Sequence, residues 1–447
     1  SIVVLGGSMS LAHKGDSWSE RAFLWLRQRW PRATVSYHNG AIGGTGSGYF
    51  ALCADAELPQ SFDVLLLDHA VNDAEQPVPG DSTGLRERAA VYEKLLRGIL
   101  RRPGPPAIFF VNWDKLSWCS VLEGSDDITP PDLVKRGPYY HVPWLGSPQT
   151  AIEAVAAWYD VPSMAPRNAF WHRDCAQLDF RGALCDGGGG MLGCAHLTSL
   201  GHEAVAKVVT AFWEYATEVV RASARSASFS SITGALPPLL ANDEDTQMAR
   251  RCLRGHELVQ LAEPQEQLLN PNAGWQMVTR DPDQPPTSRD KPGILSSRAP
   301  SNLTLNVGAT RTEVFVGYLQ SYDKRMGILE VSCVEGCVCK KVQLSGWHAK
   351  HTSVLELGAV PVTASRRCLL RLQHLERPVQ SGPHTIDSPY SRRTSQQAWR
   401  NRQQAAMASK FKILSVIVPP FDMNQRSITD LKHGEVSIEG KGPGGFD

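Results

Sequence analysis

Four short segments, far apart along the chain, carry residue types that together could break an acyl ester. The first is "VVLGGSMSLA", in which Ser8 follows an apolar run and two glycines. A serine in such a turn can project its hydroxyl from a sheet edge and act as a nucleophile if a base takes its proton. Gly-Gly-Ser after a strand also begins phosphate-binding loops, but neither the GxGxxG spacing nor a following Lys-Ser or Lys-Thr pair is present. The segment therefore favours a nucleophile.

The second and third segments offer groups that could stabilise an oxyanion. Glycines stand at positions 43, 44, 46 and 48 of "NGAIGGTGSGYF", and a backbone N–H can approach a substrate oxygen closely where no side chain intervenes. The spacing is not that of a dinucleotide-binding loop, and the segment follows the second predicted strand rather than the first. Asn72 ends "LLLDHAVND", and its amide could donate to an oxyanion without titrating, although an Asx turn that closes the strand is the alternative.

The fourth segment, "DGGGGMLGCAHLTSLGH", runs from Asp186 to His202 and supplies a candidate general base. His196 lies in this segment just before a long predicted helix. An imidazole there could accept the proton of a serine hydroxyl. His202 stands beside Gly201 at the head of the same helix, and we expect it to have a structural role instead.

Apolar runs that alternate with helical patterns position these segments. Strands are predicted at "SIVVLGG", "ATVSYHNGA", "FDVLLLDHAVND" and "PAIFFVNW", with amphipathic helical patterns between and after them. This alternation predicts a doubly wound α/β domain with a parallel sheet over residues 1–222. Such domains place their chemistry in loops at the carboxyl ends of the strands.

A second domain is predicted downstream. Residues 223–262 begin rich in Ser, Ala and Pro and are assigned to a linker. Short segments with period-two alternation and no helical partners then predict an antiparallel β-sandwich over residues 263–420. A polar stretch near 378–410 is expected to be a mobile insertion, and residues 421–447 a poorly ordered tail.

Bulk composition narrows the class of protein. The 447 residues carry a formal net charge of +1, which gives no argument for nucleic acid as a partner. The sequence contains no run of about 18 apolar residues, the length that a membrane-spanning helix needs. The ten cysteines include two groups, Cys175, Cys185 and Cys194, and Cys333, Cys337, Cys339 and Cys368. Disulfides in a secreted or lumenal protein are the favoured interpretation. Zinc is the weaker one, because "CVEGCVC" lacks paired CxxC motifs and histidines at finger spacing.

In this order and on this strand–helix pattern, the four segments resemble the SGNH (GDSL-like) hydrolase family over roughly residues 1 to 215. The resemblance implies that Ser8 is the nucleophile and His196 the base. It also implies an oxyanion hole formed by the Ser8 N–H, Gly44 and Asn72. The segments "WSERAFLWLRQRWP" and "VGYLQSYDKRMGILEVSCVEGCVC" further resemble a eukaryotic, chiefly algal, type in which a C-terminal β domain follows.

One departure from the family pattern bears on catalysis. Gly7 replaces the usual Asp before the serine, and Ala70 a glycine, but neither position supplies catalytic atoms in the family. At Gly193 the family has the Asp that orients the histidine. Its loss without a replacement can cost about four orders of magnitude in rate. Three explanations stay open: Asp186 or Asp179 serves as a displaced acid, a backbone carbonyl orients the ring, or the domain is a pseudoenzyme.

The leading hypothesis is a serine esterase that hydrolyses an acyl ester, with acetyl a candidate acyl group and carbohydrate a candidate carrier, and that uses no cofactor and no metal. Tyr139, Tyr140 and Trp144 are candidate substrate-binding residues, since aromatic rings can stack on sugars, although they could equally pack within their own segment. The alternative is a catalytically silent protein, a structural or glycan-binding component of an extracellular or lumenal assembly. Acyl transfer to an acceptor other than water would use the same residues.

Overall fold

The computed structural model describes most of the chain in separate ranges. These are residues 1–11, 16–73, 82–113, 148–165, 196–224, 236–241, 251–264, 268, 274–279, 291–310, 312–348, 353–376 and 409–418, with three short strands between 119 and 141. None of the described helices has the length and apolar character needed to cross a lipid bilayer.

The first domain is built on a parallel sheet of five strands in the order β2-β1-β3-β4-β8. These strands are β1 (Ile2–Gly6), β2 (Tyr37–Asn39), β3 (Val64–Asp68), β4 (Ala107–Val111) and β8 (Ser163–Met164). Between β4 and β8 the chain forms a small antiparallel sheet of β5 (Cys119–Ser120), β6 (Val134–Arg136) and β7 (Tyr139–His141). The central strands are apolar on both faces because helices cover both faces.

Six helices are described in this domain. They are α1 (Ser8–Leu11), α2 (Trp18–Arg29), α3 (Ser47–Glu57), α4 (Ser82–Leu100), α5 (Pro148–Trp158) and α6 (Ser199–Ala224). On one face of the sheet Val3 and Leu5 pack into a core shared with α3, α4 and α5, and on the other face Ile2 and Val4 pack into a core shared with α2 and α6. The predicted doubly wound α/β fold is confirmed.

The second domain is a sandwich of two antiparallel sheets, as predicted. One has the order β10-β11-β18-β13-β16, with β9 also paired to β18, and the other has the order β12-β17-β14-β15. The strands are β9 (Arg251–Arg254), β10 (Trp275–Val278), β11 (Gly293–Ser296), β12 (Ser301–Thr310), β13 (Glu313–Ser321), β14 (Ile328–Glu335), β15 (Val342–Ser345), β16 (Ser353–Pro361), β17 (Ser365–Leu375) and β18 (Phe411–Val418). A buried apolar cluster that includes Leu305, Val316 and Leu372 fills the space between the sheets.

Ordered structure also occurs inside the stretch that the sequence assigned to the linker 223–262. Strand β9 pairs with β18, and a 3-10 helix, Gly255–Leu261, follows it. Strand β9 could not be predicted, because four residues that include two arginines show too little alternation of apolar and polar side chains. The proposed mobile insertion lies outside the described residues except for Ser409 and Lys410, and the proposed tail lies outside them entirely.

The two domains share a buried interface. Ile417, from the outer face of the larger β sheet, belongs to the same apolar cluster as the side chains of α3, and Leu355 of β16 packs against that cluster. A disulfide joins Cys53 of α3 to Cys252 of β9. Beside it the Arg254 guanidinium pairs with the carboxylate of Glu57. The β domain is therefore fixed against α3.

Two further disulfides stabilise the β domain, Cys333–Cys339 and Cys337–Cys368. The sulfurs of Cys333, Cys337 and Cys368 lie within 4.8 Å of one another, but sulfurs bonded in disulfides are not thiolates and cannot hold zinc. The disulfide interpretation of this second cysteine group is confirmed, and it indicates an oxidising compartment. Cys175, Cys185 and Cys194 lie outside the described residues.

The disulfide between the domains should contribute more stability than a local one, because it closes a loop with a sequence separation of 199 residues. Chain entropy gives about 5 kcal/mol for such a loop and about 2 kcal/mol for a short one. We expect Cys53→Ser combined with Cys252→Ser to lower the free energy of unfolding in urea more than the matched pair Cys333→Ser with Cys339→Ser, whose separation is 6 residues. Equal losses would contradict the expectation that the longer loop contributes more stability.

Candidate active site

Ser8 and His196, which are 188 residues apart in the sequence, meet at the carboxyl end of the parallel sheet. The Nε2 atom of His196 lies 3.1 Å from the Oγ atom of Ser8. Ser8 begins the short helix α1 after the Gly7 turn that ends β1, and His196 stands three residues before α6. Because Nε2 faces the hydroxyl, the imidazole is placed to accept its proton. The structure therefore brings the two candidate residues into contact, and their roles stay a prediction.

The segment after His196 is held firmly on α6 and α2. Leu197 is buried, and the Thr198 Oγ1 atom accepts a hydrogen bond of 3.1 Å from the Gly201 N–H, which caps the start of α6. His202 is 1 % exposed, and its Nδ1 atom accepts a hydrogen bond of 3.2 Å from the Trp18 N–H at the head of α2. His202 therefore joins the two helices, which confirms its structural role.

Asn72 lies against the turn that carries Ser8. It follows β3, where its N–H donates a hydrogen bond of 2.9 Å to the carbonyl of His69. A Cβ atom added to Gly7 would lie only 1.8 Å from the Asn72 Oδ1 atom. A side chain at position 7 would therefore have to displace the Asn72 amide. Gly7 and the Asn72 side chain therefore lie in close contact directly beside Ser8.

Gly44 adopts a backbone conformation with φ of +66°, which favours glycine. The carbonyl of the next residue, Thr45, lies 3.4 Å from the position of a Cβ atom on Gly7, so this turn borders the turn that carries Ser8. Gly44 itself is held by the β domain. Its carbonyl accepts a hydrogen bond of 2.8 Å from the Leu355 N–H, and a Cβ atom on it would lie 2.2 Å from the Ser353 carbonyl oxygen.

Asp73 fixes the same turn from the side of the α/β domain. Its Oδ1 atom accepts a hydrogen bond of 2.9 Å from the Ser47 N–H, and its Oδ2 atom accepts one from the Tyr92 hydroxyl. A Cβ atom on Gly46 would lie 2.2 Å from the Asp73 Oδ1 atom, so glycine is required there too. Burial raises the pKa of Asp73. The sequence shows Asp73 next to Asn72, but it gave no sign of this positioning role.

Asp68, at the end of β3, is hydrogen-bonded to α1. The Ser10 hydroxyl donates a hydrogen bond of 2.7 Å to the Asp68 Oδ2 atom. Asp68 is fully buried, and this burial raises its pKa to about 7. The neighbouring His69 is also buried and packs on Phe50 with ring centroids 4.6 Å apart, and burial lowers its pKa to about 3. His69 is therefore a neutral core histidine at pH 7.

The described residues do not include every candidate. Asp179, Asp186, Gly193 and Trp144 lie outside the described residues, and for Tyr139 and Tyr140 only the backbone of β7 is described. In the β domain, Trp275 is 1 % exposed and Tyr318 is 5 % exposed, and Tyr318 stacks on Phe411. These two aromatic rings belong to the core of the sandwich and are closed to a glycan.

The chain consists of a doubly wound α/β domain joined to an antiparallel β domain, and the Ser8–His196 pair lies at the sheet edge of the first domain. No protein-family model and no curated protein sequence matches the chain. Among solved structures, a two-domain esterase active on acetylated mannans is 16 % identical, with a TM-score of 0.55 over 94 % of this chain and 91 % of that chain. A second structure with this description, co-crystallised with mannopentaose, is 17 % identical, with a TM-score of 0.54 over 95 % and 91 %. At these identities the similarity shows a shared two-domain fold.

The space around Gly7 can be tested by a single methyl group. We expect Gly7→Ala to lower the free energy of unfolding by about 1–3 kcal/mol, because the new Cβ atom would overlap the Asn72 amide. Gly48→Ala is the matched control, since a Cβ atom there meets nothing within 4 Å, and its stability should stay equal or rise slightly. Urea unfolding measures both. A Gly7→Ala variant as stable as the control would contradict the close approach of Asn72.

Proposed function

We propose that this protein is a serine esterase that removes an acetyl group from a carbohydrate. The observation that carries the proposal is the contact of 3.1 Å between the His196 Nε2 atom and the Ser8 hydroxyl, at the sheet edge where doubly wound domains place their chemistry. The substrate class is supported by the fold, which is shared across both domains with an esterase active on acetylated mannans. The resemblance of the sequence to SGNH hydrolases supports the same reaction.

The proposed reaction proceeds through an acyl-enzyme. His196 takes the Ser8 proton on Nε2 while Ser8 Oγ attacks the ester carbonyl, whose electron pair moves onto its oxygen. Collapse of this tetrahedral state breaks the ester C–O bond, and the histidine returns the proton to the departing sugar hydroxyl. Water then attacks the acyl-enzyme while His196 takes its proton. The bond to Ser8 Oγ breaks, acetate leaves, and the proton returns to Ser8.

We assign the oxyanion hole to the Ser8 N–H, the Gly44 N–H and the Asn72 amide. Preorganised donors aimed at the developing oxyanion are often the largest single contribution to such catalysis. The assignment is supported by the position of Asn72 against Gly7 and by the contact of Thr45 with the same glycine. These groups need no cofactor to act.

The acid of the triad is assigned to Asp186. His196 presents Nε2 to Ser8, which leaves Nδ1 as the ring nitrogen that an orienting group would bond. Asp186 is followed in the sequence by four glycines, the residue type that restricts backbone conformation least, and this sequence feature is the ground for choosing Asp186. Gly193 at the usual acid position is the observation that favours the alternative function, a silent glycan-binding or structural protein.

We also propose that the protein acts outside the cytosol, in a secreted or lumenal setting. Three described disulfides are stable in oxidising compartments. The glycosylation sequon at Asn302 lies on β12 with that side chain exposed, so a glycan could be accommodated there. The resemblance to a chiefly algal type stays a prediction.

Covalent labelling tests the nucleophile. A fluorophosphonate probe should label the folded wild-type protein, and the label should map to Ser8 by mass spectrometry. Ser8→Ala and His196→Ala should each abolish labelling and acetate release from acetylated mannan. Ser199→Ala, an exposed serine three residues from the base, should label like the wild type. Absence of labelling in folded wild-type protein would identify the silent alternative.

Two matched substitutions test the acid. Asp186→Asn should lower kcat by as much as about four orders of magnitude, because the imidazolium formed in the reaction loses its stabilising charge. Asp179→Asn should keep kcat within twofold of the wild type. Acetate release from an acetylated oligosaccharide measures both. A large loss in Asp179→Asn, or no loss in either variant, would contradict the assignment to Asp186.

A further inference from the structure

A lysine of the β domain reaches the turn that holds the oxyanion glycine. Lys291 stands two residues before β11, and its Nζ atom lies 3.3 Å from the position that a Cβ atom on Gly44 would occupy. The Ser353 carbonyl oxygen and the Leu355 N–H contact the same glycine from β16. One face of this turn is therefore covered by β-domain groups, and one of them carries a positive charge.

The surroundings of Lys291 leave that charge poorly compensated. Across the described residues, no carboxylate oxygen lies within ion-pair distance of its Nζ atom. The charged group that acts on it from the neighbouring strand β18 is Lys412, a like charge that is itself buried. Burial is the larger cause and this repulsion the smaller one, and together they lower the pKa of Lys291 to about 8. A negative charge that develops nearby would relieve both penalties.

We propose that Lys291 is a positioning residue of the acyl-transfer site, supplied by the β domain, whose ammonium group favours the tetrahedral oxyanion held at the Gly44 turn. The inference rests on the proposed function, because it adds a group to that reaction. Lys291 gains and loses no proton in the step, since the Ser8 proton passes to His196. Its effect is electrostatic and acts through the turn, which makes the β domain part of the chemical step as well as of the interface.

The kinetic prediction separates this role from substrate binding. Lys291→Gln should lower kcat for an acetylated mannan oligosaccharide on the order of tenfold, less than the hundred- to thousandfold cost of losing a direct oxyanion donor. KM should change less than twofold. Lys291→Arg should recover most of kcat, because it keeps the charge. Lys324→Gln, an exposed lysine on the loop before β14, is the matched control and should leave both constants unchanged.

The pH profile gives a second readout. The ammonium is present below its pKa and is lost as the pH rises through about 8, so wild-type kcat should fall across that range. Lys291→Arg should show no such fall, because arginine stays protonated. The kcat of Lys291→Gln should be low and should not change over this pH range, because glutamine does not titrate. The hydrolysis of substrate in buffer alone is subtracted at each pH.

The outcomes distinguish this inference from the proposed function. Wild-type protein that neither reacts with the probe nor releases acetate would contradict the function itself. An active wild type with unchanged kcat and pH profile in Lys291→Gln would overturn the inference alone, as would a change confined to KM. If Lys291→Gln does not fold, the profile of Lys291→Arg decides: a flat profile supports the proposal, and a persisting fall near pH 8 overturns it.

Discussion

The Gly44 turn is held from both domains at once, and this double constraint connects the fold to the site. From the α/β domain, the Asp73 carboxylate accepts the Ser47 N–H, and from the β domain the Leu355 N–H donates to the Gly44 carbonyl. Since a Cβ atom on Gly44 would lie 2.2 Å from the Ser353 carbonyl oxygen, no side chain can stand between the two domains here. The interface cannot shift without moving the turn.

The turn that carries Ser8 is built on a similar lack of space. Ser10 donates a hydrogen bond to the buried Asp68, and a Cβ atom on Gly6 would lie 2.6 Å from the Ser10 hydroxyl oxygen. Asn72 then fills the space beside Gly7. The glycine at position 7 consequently matches the packing of this turn. With two glycines in succession, β1 can end, turn and begin α1 within three residues, so that Ser8 stands at the sheet edge.

The sequence predicts a helix or strand best where the residues that determine it lie within or next to that element. Strands β1, β3 and β4 are apolar on both faces, and α2 is capped by Ser17, whose hydroxyl accepts a hydrogen bond from the Glu20 N–H, so these elements could be predicted. Ser8 and His196 could be named as candidates from their sequence segments, and their roles stay a prediction. Contacts between distant segments leave no local pattern, which is why the positions of Asp73 and Lys291 beside the Gly44 turn and the link from Cys53 to Cys252 appear only in the structure.

The buried titratable groups around the site share one electrostatic tendency. Burial raises the pKa values of Asp68 and Asp73 and lowers those of His69 and Lys291, so each is pushed toward its neutral form. The same low dielectric that penalises these charges strengthens every hydrogen bond made to an oxyanion. At neutral pH the Lys291 ammonium, with its pKa near 8, is the positive charge at the Gly44 turn, and a negative charge formed there would be attracted to it. Fixed donors in such a surrounding need no reorganisation when an oxyanion forms, which is what the proposed mechanism requires.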